Sequence, residues 1–202
     1  MRNLAARMTV NTAKFVLVVG AVLFSSAGTV RFGEAWLYLG LNLAWLTLAG
    51  MYFLAKDPAF LRVLGAVTLV VAGVDHRFGW SAAPFWVVAT GCALFVCGVG
   101  VVLTAFLENA YASSIIEVDP AQPVVVTGLY RVLRHPMYTG TLVMGFATPL
   151  VLGSYCALLL LPPGWALLVV RILAEERFLS RELRGYAEYM SRTPYRLIPG
   201  VW

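Results

Sequence analysis

The sequence predicts an all-α, polytopic integral membrane protein. It has five to six transmembrane helices and a cytoplasmic-side pocket formed by the C-terminal half. Three observations carry this: the composition, the lengths of the charge-free runs, and the lopsided placement of the basic residues. Hydrophobic residues make up 60% of the 202 residues and charged ones 12%, against roughly 45–50% and 25% in soluble domains. A water-soluble chain of this size has no room to hide so much apolar surface. That excludes a soluble enzyme, a disulfide-stapled secreted domain and a disordered chain. The net charge of +5 implies no nucleic-acid partner, because it follows from membrane topology.

Residues 15–30, 35–55, 78–107 and 135–170 carry no charge, and 63–74 forms a shorter run. A helix needs about 20 residues to cross the hydrocarbon core. The 36-residue run 135–170 is too long for one span and breaks near Pro149 and Gly153-Ser154. Six segments result, at roughly 14–31, 35–55, 59–75, 84–107, 136–152 and 154–173. The third spans only if Arg62 and Asp75 reach the interfaces from its ends. With six crossings, 13 of the 15 Lys and Arg fall on the side of both termini, and only Arg31 and Arg77 on the other. The positive-inside rule makes that side cytoplasmic. Arg2, Arg7 and Lys14, the following apolar run and Ser25-Ser26-Ala27 also resemble a cleavable signal peptide. The first span is read here as retained.

Cys92, Cys97 and Cys156 lie inside apolar runs, and His76 and His135 are the two histidines. That set does not make a zinc site, so no metal is expected. Asp75, His76 and Arg77 read as a solvated outer loop. Trp36, Trp80, Trp86 and Trp202 suit an interfacial aromatic belt.

Polar chemistry concentrates in residues 108–138 and 171–202, which flank the last hairpin on the cytoplasmic side. The chain divides accordingly into N-terminal transmembrane helices, 1–108, and a C-terminal core, 109–202. In the first stretch Asp119-Pro120 and Gln122-Pro123 block a helix. His135-Pro136 restarts one, with proline at its tolerated first position. The unpaired N–H groups of such a start attract an anion or carbonyl. His135 and Tyr138 share a face of that helix. In the second stretch Arg171 and Glu175 stand four apart on one helix. Two readings stay open, an ion pair that closes the helix end or a pair that faces a ligand. Phe178, Leu179, Leu183, Tyr186 and Met190 predict one amphipathic helix, lying on the membrane surface or capping the pocket.

The strings TGLYRVLRHPMYTG (127–140), RILAEE (171–176) and LRGYAEYMSRTPYRLIPGVW (183–202) resemble the isoprenylcysteine carboxyl methyltransferase family, which belongs with the phospholipid methyltransferases. Its hallmark is RHPxY, an apolar stretch and a glutamate pair. Here these are Arg134 to Tyr138 and Glu175-Glu176. The resemblance covers roughly 109–202, with a weaker likeness of 74–84 to bacterial members. It implies a membrane enzyme of the bacterial inner membrane that uses S-adenosylmethionine, without a Rossmann domain. Carried over by residue, Gln122, Pro123, Val124, Val125, Tyr130, His135, Pro136, Met137, Tyr138 and Glu175 would hold the cofactor. Glu175 and Arg171 would be catalytic, with Arg171 on the substrate side. A glutamine used by other members falls near Ile115 here, and Gln122 stands where eukaryotic relatives have histidine.

The implied acceptor is lipophilic and enters from the bilayer, first an isoprenylcysteine-like carboxylate and second a phospholipid amine or another small lipid. The partners are then membrane lipids or a prenylated substrate, with neither nucleic acid nor metal. A non-catalytic membrane scaffold of the same fold is the alternative from another class. A transporter fits less well, since no charge lies mid-span and no inverted repeat is evident.

Overall fold

The computed structural model describes residues 2–49, 59–109 and 123–202, with side-chain surroundings for 10–46, 63–109 and 123–202. The helices are α1 (Arg2–Ala27), α2 (Gly33–Ala49), α3 (Ala59–Phe78), α4 (Phe85–Glu108), α5 (Pro136–Val151), α6 (Tyr155–Leu158), α7 (Leu161–Glu182) and α8 (Tyr186–Arg192). A 3-10 turn, Gly128–Arg131, precedes α5. Among the described residues there is no strand, only a parallel bridge between Leu133 and Tyr195. The expected all-α architecture is present. Val10–Ala27, Phe85–Glu108 and Tyr155–Glu182 are long and apolar enough to cross a membrane.

The helices alternate in direction. Phe32, at the start of α2, stacks on His76 of α3 with centroids 3.8 Å apart. Gly28, just past α1, lies against the Arg77 side chain. Gly153, just past α5, lies near Ala83 and Glu34. These contacts gather the α1–α2, α3–α4 and α5–α6 turns at one end of the bundle. Glu108 and residues 123–135 and 175–202 occupy the other. Gly28 and Gly153 both have positive φ, +68° and +66°, the conformation that ends a helix at little cost in glycine.

Two boundaries refine the sequence expectation. Of the breaks expected near Pro149 and Gly153-Ser154, the second is present, while α5 runs through the buried Pro149 and stops at Val151. The single amphipathic helix is instead two elements. α7 carries the apolar span onward to Glu182, and Gly185, at φ +87°, turns the chain before α8. A left-handed glycine outweighs the periodicity on either side of it.

A third correction concerns Asp75. It is 1% exposed, in the last turn of α3. Its carboxylate accepts from the Ser81 N–H at 2.7 Å, from Ser81 Oγ at 2.6 Å and from Ser154 Oγ. Ser154 Oγ in turn caps α6 by accepting from the Ala157 N–H. So Asp75 is a buried tie between α3 and the α5–α6 turn, not part of a solvated loop. A buried carboxylate is tolerable once its lone pairs are filled.

Among the described residues α4 and α5 pack together most extensively, and small residues allow it. A Cβ on Gly98 would lie 2.9 Å from Gly140 O, one on Gly140 2.7 Å from Gly98 O, and one on Gly91 2.7 Å from Val151 N. In an apolar solvent, backbone approach of this kind replaces hydrophobic burial as the source of helix association. Gly73 serves α1 and α3 similarly, its Cβ position lying 2.9 Å from Leu23 O. Leu23, Phe32, Phe95 and Val151 fill the core between helices. Phe85, Trp86, Leu107 and Val170 point outward and are exposed, as a lipid-facing surface requires.

Gly98→Leu should push α4 off α5. We expect a loss of about 1–3 kcal/mol, read as a lower thermal midpoint in detergent, whereas Gly100→Leu, with open space around it, should leave the midpoint unchanged.

Candidate functional site

The chain leaves α4 at Glu108, whose Oε2 accepts from the Leu129 N–H at 2.7 Å. That carboxylate caps the 3-10 turn. Gly128, at φ +55°, has no room for a Cβ beside it. Tyr189 of α8 braces the same turn. Its hydroxyl donates to Tyr130 O at 2.7 Å and lies 3.3 Å from Leu133 O. Residues 133–135 then run alongside the C-terminal tail. The Arg134 N–H donates to Tyr195 O at 2.9 Å, and the His135 N–H to Arg196 O at 3.0 Å. The tail closes on itself, since the Trp202 main-chain oxygen accepts from the N–H groups of Arg196, Leu197 and Ile198.

Glu176 joins these pieces. Its side chain is 7% exposed, and Oε1 lies 2.8 Å from an Arg134 guanidinium nitrogen and 3.3 Å from His135 Nε2. Oε2 accepts from Arg196 Nε at 2.9 Å. The Arg196 guanidinium also lies over the Trp202 ring, 4.9 Å from its centroid. Trp202 is therefore folded back onto the tail.

Glu175 faces elsewhere. Tyr138 Oη donates to its Oε2 at 2.7 Å and accepts from Arg171 Nε at 2.8 Å. The phenol bridges the two residues that sequence spacing paired directly. The His135 and Tyr138 rings are 5.6 Å apart, and no side chain caps the helix start at His135. Two buried side-chain atoms among the described residues lack a partner, Arg134 Nε and Tyr186 Oη. Both belong to this neighbourhood.

The expected site residues fall as follows. Tyr138, Glu175 and Arg171 form one hydrogen-bonded chain. His135 is buried against Glu176, and Pro136 is buried at the first position of α5. Tyr130 is buried beneath Tyr189. Val124 packs on the cluster of Leu183, Tyr186 and Tyr189. Pro123 is exposed, while Val125 and Met137 are half-buried. Gln122 and Ile115 lie outside the described residues. Sequence reasoning missed Glu108, Tyr186, Tyr189 and Arg196. Their spacing from the motif residues is too long for any local rule to connect them.

Burial pushes the Tyr130 phenol up to about 12, helped by the charges of Glu108 and Glu175, while a bond from Asn109 acts the other way. Burial raises Tyr189 and Tyr186 as well. All three are neutral donors at physiological pH.

Residues 86–185 match the phospholipid methyltransferase family. The matched region covers just under half of the chain. It includes α4, the 3-10 turn, α5, α6 and α7, and so holds Tyr138, Arg171 and both glutamates. Curated relatives include the "Probable 7-dehydrocholesterol reductase" of Acanthamoeba polyphaga mimivirus, 34% identical over 90 residues, or 41% of this chain. The Delta(14)-sterol reductase of Mus musculus is 34% identical over 84 residues, or 39% of this chain. The chain spans 19% of the length of each.

Two outcomes follow from the geometry. Glu176→Ala leaves Arg134 and Arg196 without their shared carboxylate, which should cost about 3 kcal/mol in thermal stability. A midpoint within 1 °C of the parent would contradict it. The second concerns alkaline pH. Tyrosines raised in the folded state contribute stability that is complete below the unfolded value of about 10 and lost as pH climbs toward 12. Absorbance at 295 nm should show phenolate from these three appearing with unfolding, not before it.

Proposed function

We propose that this chain is a membrane methyltransferase that uses S-adenosylmethionine and acts on a lipophilic acceptor from the bilayer. The observation that carries the reading is the Arg171–Tyr138–Glu175 chain beside the open start of α5, inside the region matching the methyltransferase family. An anionic oxygen flanked by phenols suits a cationic ligand. Glu175 can take an ammonium, and the Tyr138 and Tyr130 faces can neighbour a sulfonium by cation–π attraction. The donor set thus fits the cofactor.

When bound, the cofactor supplies an activated methyl group. The chain's own work is alignment and water exclusion. α5 holds Tyr138 toward Glu175. The Glu176 cluster fixes the His135 end of the same helix. Arg171, steadied by Tyr138, is placed to orient an acceptor carboxylate through its guanidinium fork. Such an acceptor, isoprenylcysteine-like in our first assignment, is already nucleophilic and needs no base. A phospholipid amine, the second assignment, would need Glu175 to take its proton. The charge asymmetry supports six crossings with both termini cytoplasmic, and the likeness of residues 74–84 supports a bacterial inner membrane.

A second reading, a reductase, is favoured by the names of the two relatives. Reduction needs a hydride donor such as a nicotinamide dinucleotide. The match of residues 86–185 to the methyltransferase family weighs against the reductase.

Calorimetry of the full chain in detergent decides between them. S-adenosylhomocysteine should bind saturably, and Glu175→Ala should weaken it roughly tenfold or more, as loss of a charged hydrogen bond does. Binding of NADPH in its place would transfer the assignment to the reductase. Binding of neither would leave the scaffold.

A further inference from the structure

We propose that Arg134 Nε and Tyr186 Oη are the two donors of a carboxylate subsite, which takes the amino-acid carboxylate of the cofactor. The inference rests on the methyltransferase reading and names a part of the site that the sequence motifs did not mark. Three observations support it.

The first is the pair of orphans. Among the described residues Arg134 Nε and Tyr186 Oη are the two buried side-chain polar atoms without a partner. Tyr186 is 4% exposed and the Arg134 side chain 7%. A buried unpaired donor is costly, and native structures rarely keep one without a ligand, ion or water to fill it. Both atoms donate here, so both need an acceptor.

The second is their placement. Arg134 ends the segment that enters α5, and Tyr186 opens α8 across from it. The Tyr186 hydroxyl feels the charges of Glu176, Glu175 and Arg134 together. It therefore lies within electrostatic reach of both glutamates and of Arg134. Its ring is fixed against Tyr189, with centroids 5.7 Å apart, and packs with Val124 and Leu183. Such a hydroxyl is preorganised, since ligand binding need not immobilise it.

The third is charge. Two guanidiniums, Arg134 and Arg196, share the single carboxylate of Glu176. Counted with Arg171 and Glu175, which meet through Tyr138, the group holds three guanidiniums and two carboxylates, one positive charge in excess. A ligand carboxylate would balance it and accept from both orphans. The cofactor's ammonium would then face Glu175 on the neighbouring side. The zwitterionic end of one molecule would meet an anion on one flank and a cation group on the other.

The test compares two ligands that differ only in the carboxylate. Full-length protein in detergent is titrated with S-adenosylhomocysteine and with its decarboxylated analogue, S-adenosyl-3-thiopropylamine. The parent should prefer the carboxylate-bearing ligand by roughly tenfold or more, the effect of a hydrogen bond to a charged group. Tyr186→Phe should reduce that preference several-fold. Its ligand-free thermal midpoint should not fall, because the deleted hydroxyl has no partner to lose. Arg134→Lys keeps a charge beside Glu176 but removes Nε–H, and gives a second arm with the same expected loss of preference. An unreduced preference in either folded variant overturns the subsite and means that water serves the donors, while the methyltransferase reading stands. A parent that binds neither ligand overturns that reading and the subsite with it.

Discussion

Glu176 is one buried carboxylate answered by two guanidiniums and an imidazole. A charge in that position is tolerable only when paired and hydrogen-bonded. Its partners come from residues 134, 135 and 196, so satisfying it brings three distant segments together. The backbone bonds from Arg134 and His135 to the tail hold the same arrangement. Consecutive residues on a helix point about 100° apart. Pinning Glu176 toward the tail therefore turns Glu175 toward Tyr138. The glutamate pair divides its work: one member fixes the architecture, and the other presents an oxygen to the site.

The same economy of position appears along α5. His135 at its start is held by Glu176, and Tyr138 one turn later meets Glu175. α5 itself is set by its contact with α4, where facing glycines let the two backbones touch. At the far end, Asp75 and Ser154 tie α3 to the turn that follows α5. The cluster at one end of the bundle is thus supported by a glycine seam along its length and a buried carboxylate at the other end.

Residues 86–185 match a methyltransferase family, while curated relatives at 34% identity carry reductase names. A shared fold does not by itself fix a reaction. Within this chain, Tyr138 donates to Glu175, and a carboxylate beside a phenol suits a cationic ligand.

The sequence by itself determined the class of solvent, the helical segments and the motif. Each of these is local: hydropathy over about 20 residues, proline at a helix start, a glutamate pair near a span's end. One helix end was less legible, because the left-handed Gly185 outweighs the periodicity around it. What only the tertiary structure decided is which charged groups meet. Asp75 reads as solvated until Ser154, 79 residues away, is seen to fill its lone pair. Arg171 and Glu175 are left between two readings by their spacing, and the structure adds Tyr138, bonded to both. Arg196, Tyr186 and Glu108 lie in stretches that the sequence marks as polar or amphipathic, but nothing local names their partners. Partner choice for a buried polar group depends on which atoms close the space around it, and that is settled by packing between segments far apart in the chain.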